Sequence, residues 1–153
     1  MRCCSGRGQT AIEMMLIFGI MLAGLVVVLS SVSSTSSGTT LAYAARTSGS
    51  YACSYLQNGV VVNDTVYDPL NRLIEDNNYS PVQCRLLSVR VVESTSGYEV
   101  TLTFEYSGPD AGTFKTGVEE FVVLKMARYS GFELSDGVLL YRGSPVRVKV
   151  VVE

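Results

Sequence analysis

Histidine and tryptophan are absent from this chain of 153 residues. Histidine is the commonest general base and the commonest metal ligand in proteins, so its absence argues against His-based catalytic triads, Cys–His pairs and most metal sites. The chain also lacks a Gly-rich phosphate-binding loop. The sequence therefore predicts a protein that is not an enzyme and that needs no cofactor and no metal.

Charge is scarce as well, because only 17% of the residues are Asp, Glu, Lys or Arg and the net charge is -2. Such a balance lacks the basic footprint of a nucleic-acid binder. A hydrophobic content of 47% excludes a highly charged disordered chain. The chain has a single long apolar run, which excludes a membrane protein with several spans.

That apolar run covers Met14–Leu29, 16 residues without any charge, and follows a short positive leader, residues 1–8. A secretory signal peptide has its small cleavage-site residues after the apolar stretch, whereas here Gly8 precedes it. We therefore expect the apolar segment to stay on the mature protein. It predicts a helix of roughly 24 Å, a marginal membrane span whose basic leader remains cytoplasmic. A helix that is apolar on every face must be surrounded by lipid or by protein.

Glu13 is unusual because it places a carboxylate directly before the apolar run. It can lie among lipid headgroups, or it can pair with the α-amine of Gln9 that a cut after Gly8 would create. Such a pairing between packed helices would neutralise both charges and fix their register. Gly19 and Ala23 form a small-xxx-small pair that permits close helix approach, although ordinary membrane-helix composition also produces such pairs.

The segment Arg7-Gly8-Gln9-Thr10-Ala11-Ile12-Glu13 and the helix after it resemble the class III signal peptide of archaeal type IV pilin-like proteins, in particular euryarchaeal pilins. The resemblance covers roughly residues 5–30. It implies that a prepilin peptidase cuts after Gly8, that the mature chain starts with Gln9, and that Glu13 is the family's fifth-position acid. The chain departs from the usual pattern in having Ala11 where Ser is frequent and Ile17 where Leu is frequent.

This resemblance also implies a function. The protein would be the structural subunit of an archaeal type IV-like pilus, polymerised through its N-terminal helix into a surface filament for adhesion. Its partners would be further copies of itself, the prepilin peptidase, an assembly ATPase and a membrane platform. The precursor would lie in the cytoplasmic membrane and the mature form outside the cell. The alternatives are a single-span, membrane-anchored extracellular binding module and a minor pilin.

The chain beyond the apolar run changes character twice. Nine of the eleven residues 30–40 are Ser or Thr, which predicts a hinge or a helix that persists only through packing. Residues 41–57 are compatible with a second helical piece. We therefore divide the chain into a leader, a hydrophobic helix, a Ser/Thr-rich stalk or linker and a β-rich head, at residues 1–8, 9–32, 33–57 and 58–153.

Strand-like alternation dominates the predicted head. Apolar and polar residues alternate over 98–106 and again over 146–152. Further strand candidates are Leu86–Val92, Phe121–Met126 and Val138–Tyr141, with turns at 94–97 and 143–145. The fold class is therefore α+β: a long N-terminal hydrophobic helix followed by an all-β head, an antiparallel sheet or sandwich of about five or six strands.

The four cysteines fall into two groups. Cys3 and Cys4 lie in the leader and would leave with it. Cys53 and Cys84 predict one disulfide in an extracellular domain, the alternative being two buried free thiols.

Two N-x-[ST] triplets make Asn63 and Asn78 candidate glycosylation sites, the second of them weakened by the proline that follows it. The acidic neighbours Glu75-Asp76 and Glu119-Glu120 are interpreted as solvated surface. Adjacent strand residues point to opposite faces, so Glu119 and Glu120 would not converge on one substrate.

Overall fold

A computed structural model describes residues 7–153, with the side chains of 7–11 and 30–36 left out of the description. The chain forms two compact units, the first ending at Ser37 and the second spanning Gly38–Glu153. Its helices and strands, in chain order, are α1 (Arg7–Asn58), α2 (Asp68–Asp76), β1 (Gln83–Ser94), β2 (Gly97–Ser107), α3 (Ala111–Met126), β3 (Phe132–Ser135), β4 (Val138–Tyr141) and β5 (Ser144–Val152).

The C-terminal part of α1 belongs to the core of the second unit. Its buried positions recur every three or four residues, as an amphipathic helix requires. They are Leu41, Ala44, Ala45, Ser48, Gly49, Ala52, Cys53, Tyr55 and Leu56. Most of these side chains are small, so the helix axis can lie close to the sheet. A Cβ atom on Gly49 would come within 2.8 Å of Leu102 Cδ2 and 3.2 Å of Phe104 Cζ.

The Ser/Thr-rich segment is helical, because residues 30–40 all lie within α1. The compact second unit begins at Gly38, whereas the sequence placed the start of the head at residue 58. The difference arises because residues 41–57, assigned to a stalk or linker, supply core side chains. Polar residues on the exposed side of this helix interrupt the sequence, so the buried stripe of small residues does not stand out as a core-facing pattern.

The second unit contains one five-stranded sheet with the strand order β1-β2-β5-β4-β3. β1 pairs with β2, β3 with β4, and β4 with β5, all antiparallel. β2 and β5 pair in parallel, with Tyr98 opposite Val146 and Phe104 opposite Val152. The α+β class is therefore confirmed, but the sheet is mixed rather than purely antiparallel. The head is likewise not all-β, since α2, α3 and the end of α1 lie in the same unit.

The parallel pair exists because the connection from β2 to β5 contains a helix. Phe121–Met126 was predicted as a strand and is instead the last part of α3. Its buried residues have helical spacing and are Phe114, Val118, Phe121, Val122 and Met126. Asp110 caps the helix, since its carboxylate accepts hydrogen bonds from the backbone N–H groups of Gly112 and Thr113. A parallel pair needs such a crossover connection.

Two tight turns complete the sheet. Asp136-Gly137 joins β3 to β4, and Arg142-Gly143 joins β4 to β5. All four residues have positive φ, which is what type I′ hairpin turns require. The second turn was predicted at 143–145, but Ser144 and Pro145 already pair within the sheet, with Tyr141 and Leu140.

The sheet has one buried and one exposed face. Val100, Leu102 and Phe104 of β2 are fully buried, and Phe104 contacts Phe114 of α3 edge-to-face with ring centroids 5.7 Å apart. Phe114 also stacks on Tyr106, centroids 4.0 Å apart. The helices of the second unit therefore cover one face of the sheet, and the residues between these positions point to the other face.

Replacing Gly49 by leucine tests the close approach of α1 to the sheet. The larger side chain must displace Leu102 and Phe104, so we expect the free energy of unfolding to fall by about 2 kcal/mol or more. The matched control is Ser50→Leu at the adjacent exposed position, where a change within about 0.5 kcal/mol is expected. Urea unfolding of the detergent-solubilised full chain, followed by near-UV circular dichroism, measures both. Equal stabilities for the two variants would contradict the packing described.

Candidate assembly site

The predicted cleavage residues lie at the start of the described chain. Arg7, Gly8 and Gln9 occupy the first positions of α1, and their side chains lie outside the described residues, as Cys3 and Cys4 do entirely. The cut after Gly8 and the pairing of the Gln9 amine therefore stay predictions.

The described part of the hydrophobic helix, Ile12–Leu29, is exposed along its whole length. Its large apolar side chains range from 49% exposed at Ile17 to 80% at Met15. The segment is long and apolar enough to cross a membrane, a criterion that N-terminal signal sequences also meet. An apolar surface of this size is not stable in water, so lipid or protein must cover it.

Glu13, Gly19 and Ala23 are all exposed on this helix. A Cβ atom added to Gly19 would meet nothing within 4 Å, so its surface is open to the close approach of another helix. With about 3.6 residues per turn, Glu13 and Gly19 lie roughly 120° apart around the axis. A single neighbouring helix would therefore not engage both, whereas a bundle with several neighbours would.

The predicted disulfide between Cys53 and Cys84 is present. It joins α1 to β1, and its two Cα atoms are 5.1 Å apart across a sequence separation of 31 residues. Both cysteines are buried, 5% and 4% exposed. Nearby, Gln57 Nε2 donates a hydrogen bond to the Cys84 carbonyl oxygen at 2.7 Å. Both this hydrogen bond and the disulfide therefore join α1 to β1.

The loop between α1 and α2 is held by a buried polar network. The Tyr55 hydroxyl donates to Asn71 Oδ1 at 2.6 Å and accepts from the backbone N–H of Val62 at 2.8 Å. Asn71 Nδ2 donates to the Val62 carbonyl oxygen at 2.9 Å. Burial raises the pKa of the Tyr55 phenol, which keeps it neutral and able to donate. Both backbone groups of Val62 are thus satisfied by side chains of the flanking helices.

The same loop is tied to the turn directly after α3 by an ion pair. The Arg128 guanidinium donates to both carboxylate oxygens of Asp64, at 2.9 and 3.2 Å. The hydrogen bond from the backbone N–H of Val66, followed by the one from Arg128, lowers the pKa of Asp64. Because Asp64 and Arg128 are 64 residues apart, their pairing follows from the tertiary fold and has no local sequence signal.

Lys125 joins α3 to two further elements through aromatic contacts. Its Nζ lies 4.7 Å from the ring centroid of Tyr51 and 5.4 Å from that of Tyr67. It also donates to the Tyr67 hydroxyl at 3.2 Å. A cation over aromatic faces is stabilising, and here it links α3 to α1 and to the start of α2.

The two candidate glycosylation sites are both at the surface. Asn63 is exposed in the loop between α1 and α2. Asn78 is exposed in the turn after α2, where Asn78 and Tyr79 both have positive φ, 49° and 58°. Exposure permits attachment of a sugar, and modification of either residue stays a prediction.

One of the acidic residues interpreted as solvated surface has a structural role. Glu119 lies on α3 and is partly buried, and its Oε1 accepts a hydrogen bond from the backbone N–H of Val150 at 2.7 Å. β4 pairs with β5 only as far as Val146, so this carboxylate satisfies part of the edge of β5 that β4 leaves open. Glu75, Asp76 and Glu120 are exposed.

The described part of the chain contains no metal centre, and comparison with known proteins finds no relative. Within residues 7–153 as described, no group of three or more Cys, Asp or Glu side chains is placed to hold a metal ion. No protein-family model, curated protein or solved structure matches the chain. Any functional conclusion therefore depends on the N-terminal segment and on the surfaces of the second unit.

Removal of the disulfide should destabilise the second unit. Closing a 31-residue separation restricts the unfolded chain, so the Cys53→Ala/Cys84→Ala variant should lose about 3–4 kcal/mol of unfolding free energy. Urea unfolding with and without a reductant measures this loss. The reductant should lower the free energy of unfolding of the unchanged chain and leave that of the variant unaffected. If the reductant destabilised both proteins equally, the assignment of a disulfide between Cys53 and Cys84 would be contradicted.

Replacing Asp64 by asparagine should remove a pH-dependent contribution. Because the folded-state pKa lies below the usual 3.8, Asp64 stabilises the fold above that pH, and the contribution is lost as the pH falls through the folded-state pKa. Unfolding of both proteins, measured from pH 6 to pH 2, should show a difference that disappears at the acid end. A stability difference between the two proteins that grows as the pH falls would contradict a lowered pKa for Asp64.

Proposed function

We propose that this protein is a structural subunit of an archaeal type IV-like pilus. In this proposal a prepilin peptidase cuts the precursor after Gly8, and an assembly ATPase with a membrane platform adds the mature chain to a growing surface filament used for adhesion. The observation that carries the proposal is the uncovered apolar helix Ile12–Leu29, which contains Glu13 as its second residue and follows the Arg7-Gly8-Gln9 segment.

The helix suits both environments that the proposal requires. In the precursor, lipid covers the apolar side chains; in the filament, the same side chains pack against other copies of the helix. Exposing them to water between the two states would cost about 0.8 kcal/mol for each CH₂ group, so direct transfer from bilayer to bundle is favoured. Contacts between unlike surfaces of identical subunits generate an open helical fibre when the rotation between subunits does not close into a ring.

Glu13 has a specific part in this assembly. Within an apolar bundle a lone carboxylate is costly, and the α-amine of Gln9 from a neighbouring chain would supply the missing cation. The pairing would set the axial register between subunits. Gly19 and Ala23 would supply the close approach on another side of the helix, where a Cβ atom added to Gly19 would meet nothing within 4 Å in the single chain.

A membrane-anchored extracellular binding module is the second candidate. The same helix is sufficient for a permanent anchor, because it passes the criterion for a membrane span on its own. A minor pilin, present in few copies, is a variant of the first proposal and would differ in its abundance relative to other subunits.

N-terminal sequencing of the surface form separates the two candidates. A pilin should begin at Gln9, whereas an anchored module should retain the leader. Electron microscopy of sheared surface material, from cells with and without the protein, should show filaments only when it is present. A surface form that keeps residues 1–8 and yields no filaments would refute the proposal.

Replacement of Glu13 by alanine tests the pairing. The cut after Gly8 should remain largely intact, while the yield of filaments should fall because the Gln9 amine would lose its partner. Glu133→Ala, at an exposed acid of β3, is the matched control and should leave the yield unchanged. Immunoblots of processed chain and filament yields from sheared cells measure the two steps. Normal filaments from the Glu13 variant would contradict the pairing.

A further inference from the structure

An open cavity of about 480 Å³ lies at one end of the sheet, where β1 begins and β2 ends. The first pairs of the β1–β2 ladder line it, with Gln83 opposite Ser107 and Arg85 opposite Glu105. Gln57 contributes to the lining from the last turn of α1. The volume falls within the range of about 300–1,000 Å³ that is usual for small-molecule sites.

The walls of this cavity are held by covalent and polar contacts. Cys84 belongs to the lining and is joined to Cys53 of α1 by the disulfide. Gln57 Nε2 donates a hydrogen bond to the Cys84 carbonyl oxygen at 2.7 Å, which orients the Gln57 amide. On the β2 side, the ring of Tyr106 stacks on Phe114 with the centroids 4.0 Å apart. A site that is formed in advance loses little conformational freedom when a ligand binds.

The polar side chains around the cavity offer hydrogen-bond donors and acceptors together. The Arg85 guanidinium only donates and the Glu105 carboxylate only accepts, whereas the Gln83 amide and the Ser107 hydroxyl do both. Within the described part of the chain, no hydrogen bond or ion pair engages these four side chains. Their hydrogen-bonding capacity is therefore available to a ligand.

The charges of the lining exclude strongly ionic ligands. Two acids, Glu105 and Glu153, stand beside the single cation Arg85, so an anion would be repelled. An organic ammonium ion only donates hydrogen bonds and would leave Arg85 without an acceptor. A metal ion would need a cluster of acidic or sulfur ligands, and the described residues contain none.

A sugar hydroxyl matches this lining, because a hydroxyl both donates and accepts hydrogen bonds. Neighbouring hydroxyls on one sugar ring can meet a donor such as Arg85 and an acceptor such as Glu105 in a single contact. From this arrangement we infer that the cavity between α1, β1 and β2 binds a neutral saccharide.

This inference names the partner in adhesion, a sugar on the surface to which a filament attaches, and in that use it rests on the proposed function. The cavity itself lies within the second unit, Gly38–Glu153. Binding can therefore be measured on the uncut full chain, where neither cleavage nor filament formation is required.

An array of immobilised neutral mono-, di- and trisaccharides tests the inference, with sulfated and amino sugars on the same array. The full chain is applied in a detergent that has no sugar headgroup. At least one neutral saccharide should retain the chain, and the same saccharide free in solution should release it. The concentration of chain that gives half-maximal retention measures the affinity.

A double variant and a matched control locate the binding. Arg85→Ala/Glu105→Ala removes one cation and one acid from the cavity and should weaken the affinity at least about tenfold, since hydrogen bonds to charged groups are the stronger ones. Arg90→Ala/Glu99→Ala removes the same residue types from exposed positions of the same two strands, outside the cavity, and should match the unchanged chain. Gln83→Ala, a milder change in the lining, should also weaken retention. Urea unfolding verifies that each variant is folded.

Three results would overturn the inference. The first is a folded, unchanged chain that no saccharide retains. The second is equal retention of the cavity variant and its control, which would place binding elsewhere on the chain. The third is retention by sulfated or amino sugars alone, which would contradict a neutral ligand. Failure of the proposed function appears separately, as a surface form that keeps its leader and yields no filaments, so the two failures are distinguishable.

Discussion

The whole account depends on one constraint: an apolar helix with no polar face must be covered. Ile12–Leu29 exposes almost every large side chain it contains, and the second unit is compact without it. In the proposed function, lipid would satisfy the constraint in the precursor, and other copies of the helix would satisfy it in the filament. Glu13 makes the second solution more specific, because a carboxylate at the edge of an apolar bundle requires a cation.

The second unit is built to be rigid. A stripe of small residues brings α1 close to the sheet, and the disulfide between Cys53 and Cys84 fixes α1 to β1. Tyr55 and Asn71 hold the loop after α1 through its backbone groups. A unit so constrained would lose little conformational freedom on binding to another molecule.

Part of this fold could be predicted from sequence, namely the elements that produce a pattern among neighbouring residues. Alternation over 98–106 and 146–152 fixed β2 and β5, since a half-buried strand repeats every two residues. Phe121–Met126 was wrongly predicted as a strand because a short apolar run has no clear period. The sequence signal for a helix here was Asp110, the residue that caps the start of α3. β3 was not predicted, although Asp136-Gly137 is a typical hairpin turn and indicates a strand before β4. The parallel pairing, the Asp64–Arg128 ion pair and the role of Glu119 depend on tertiary contacts that leave no trace in nearby residues.

The most direct measurement identifies what covers the apolar helix in the mature protein. A photoreactive amino acid at Phe18, which is 64% exposed in the single chain, would label its neighbours in sheared, cell-free surface material. The account predicts adducts between copies of the chain, attached within residues 12–29 and extending to a ladder of multimers. Adducts with lipid alone, from single chains, would contradict it.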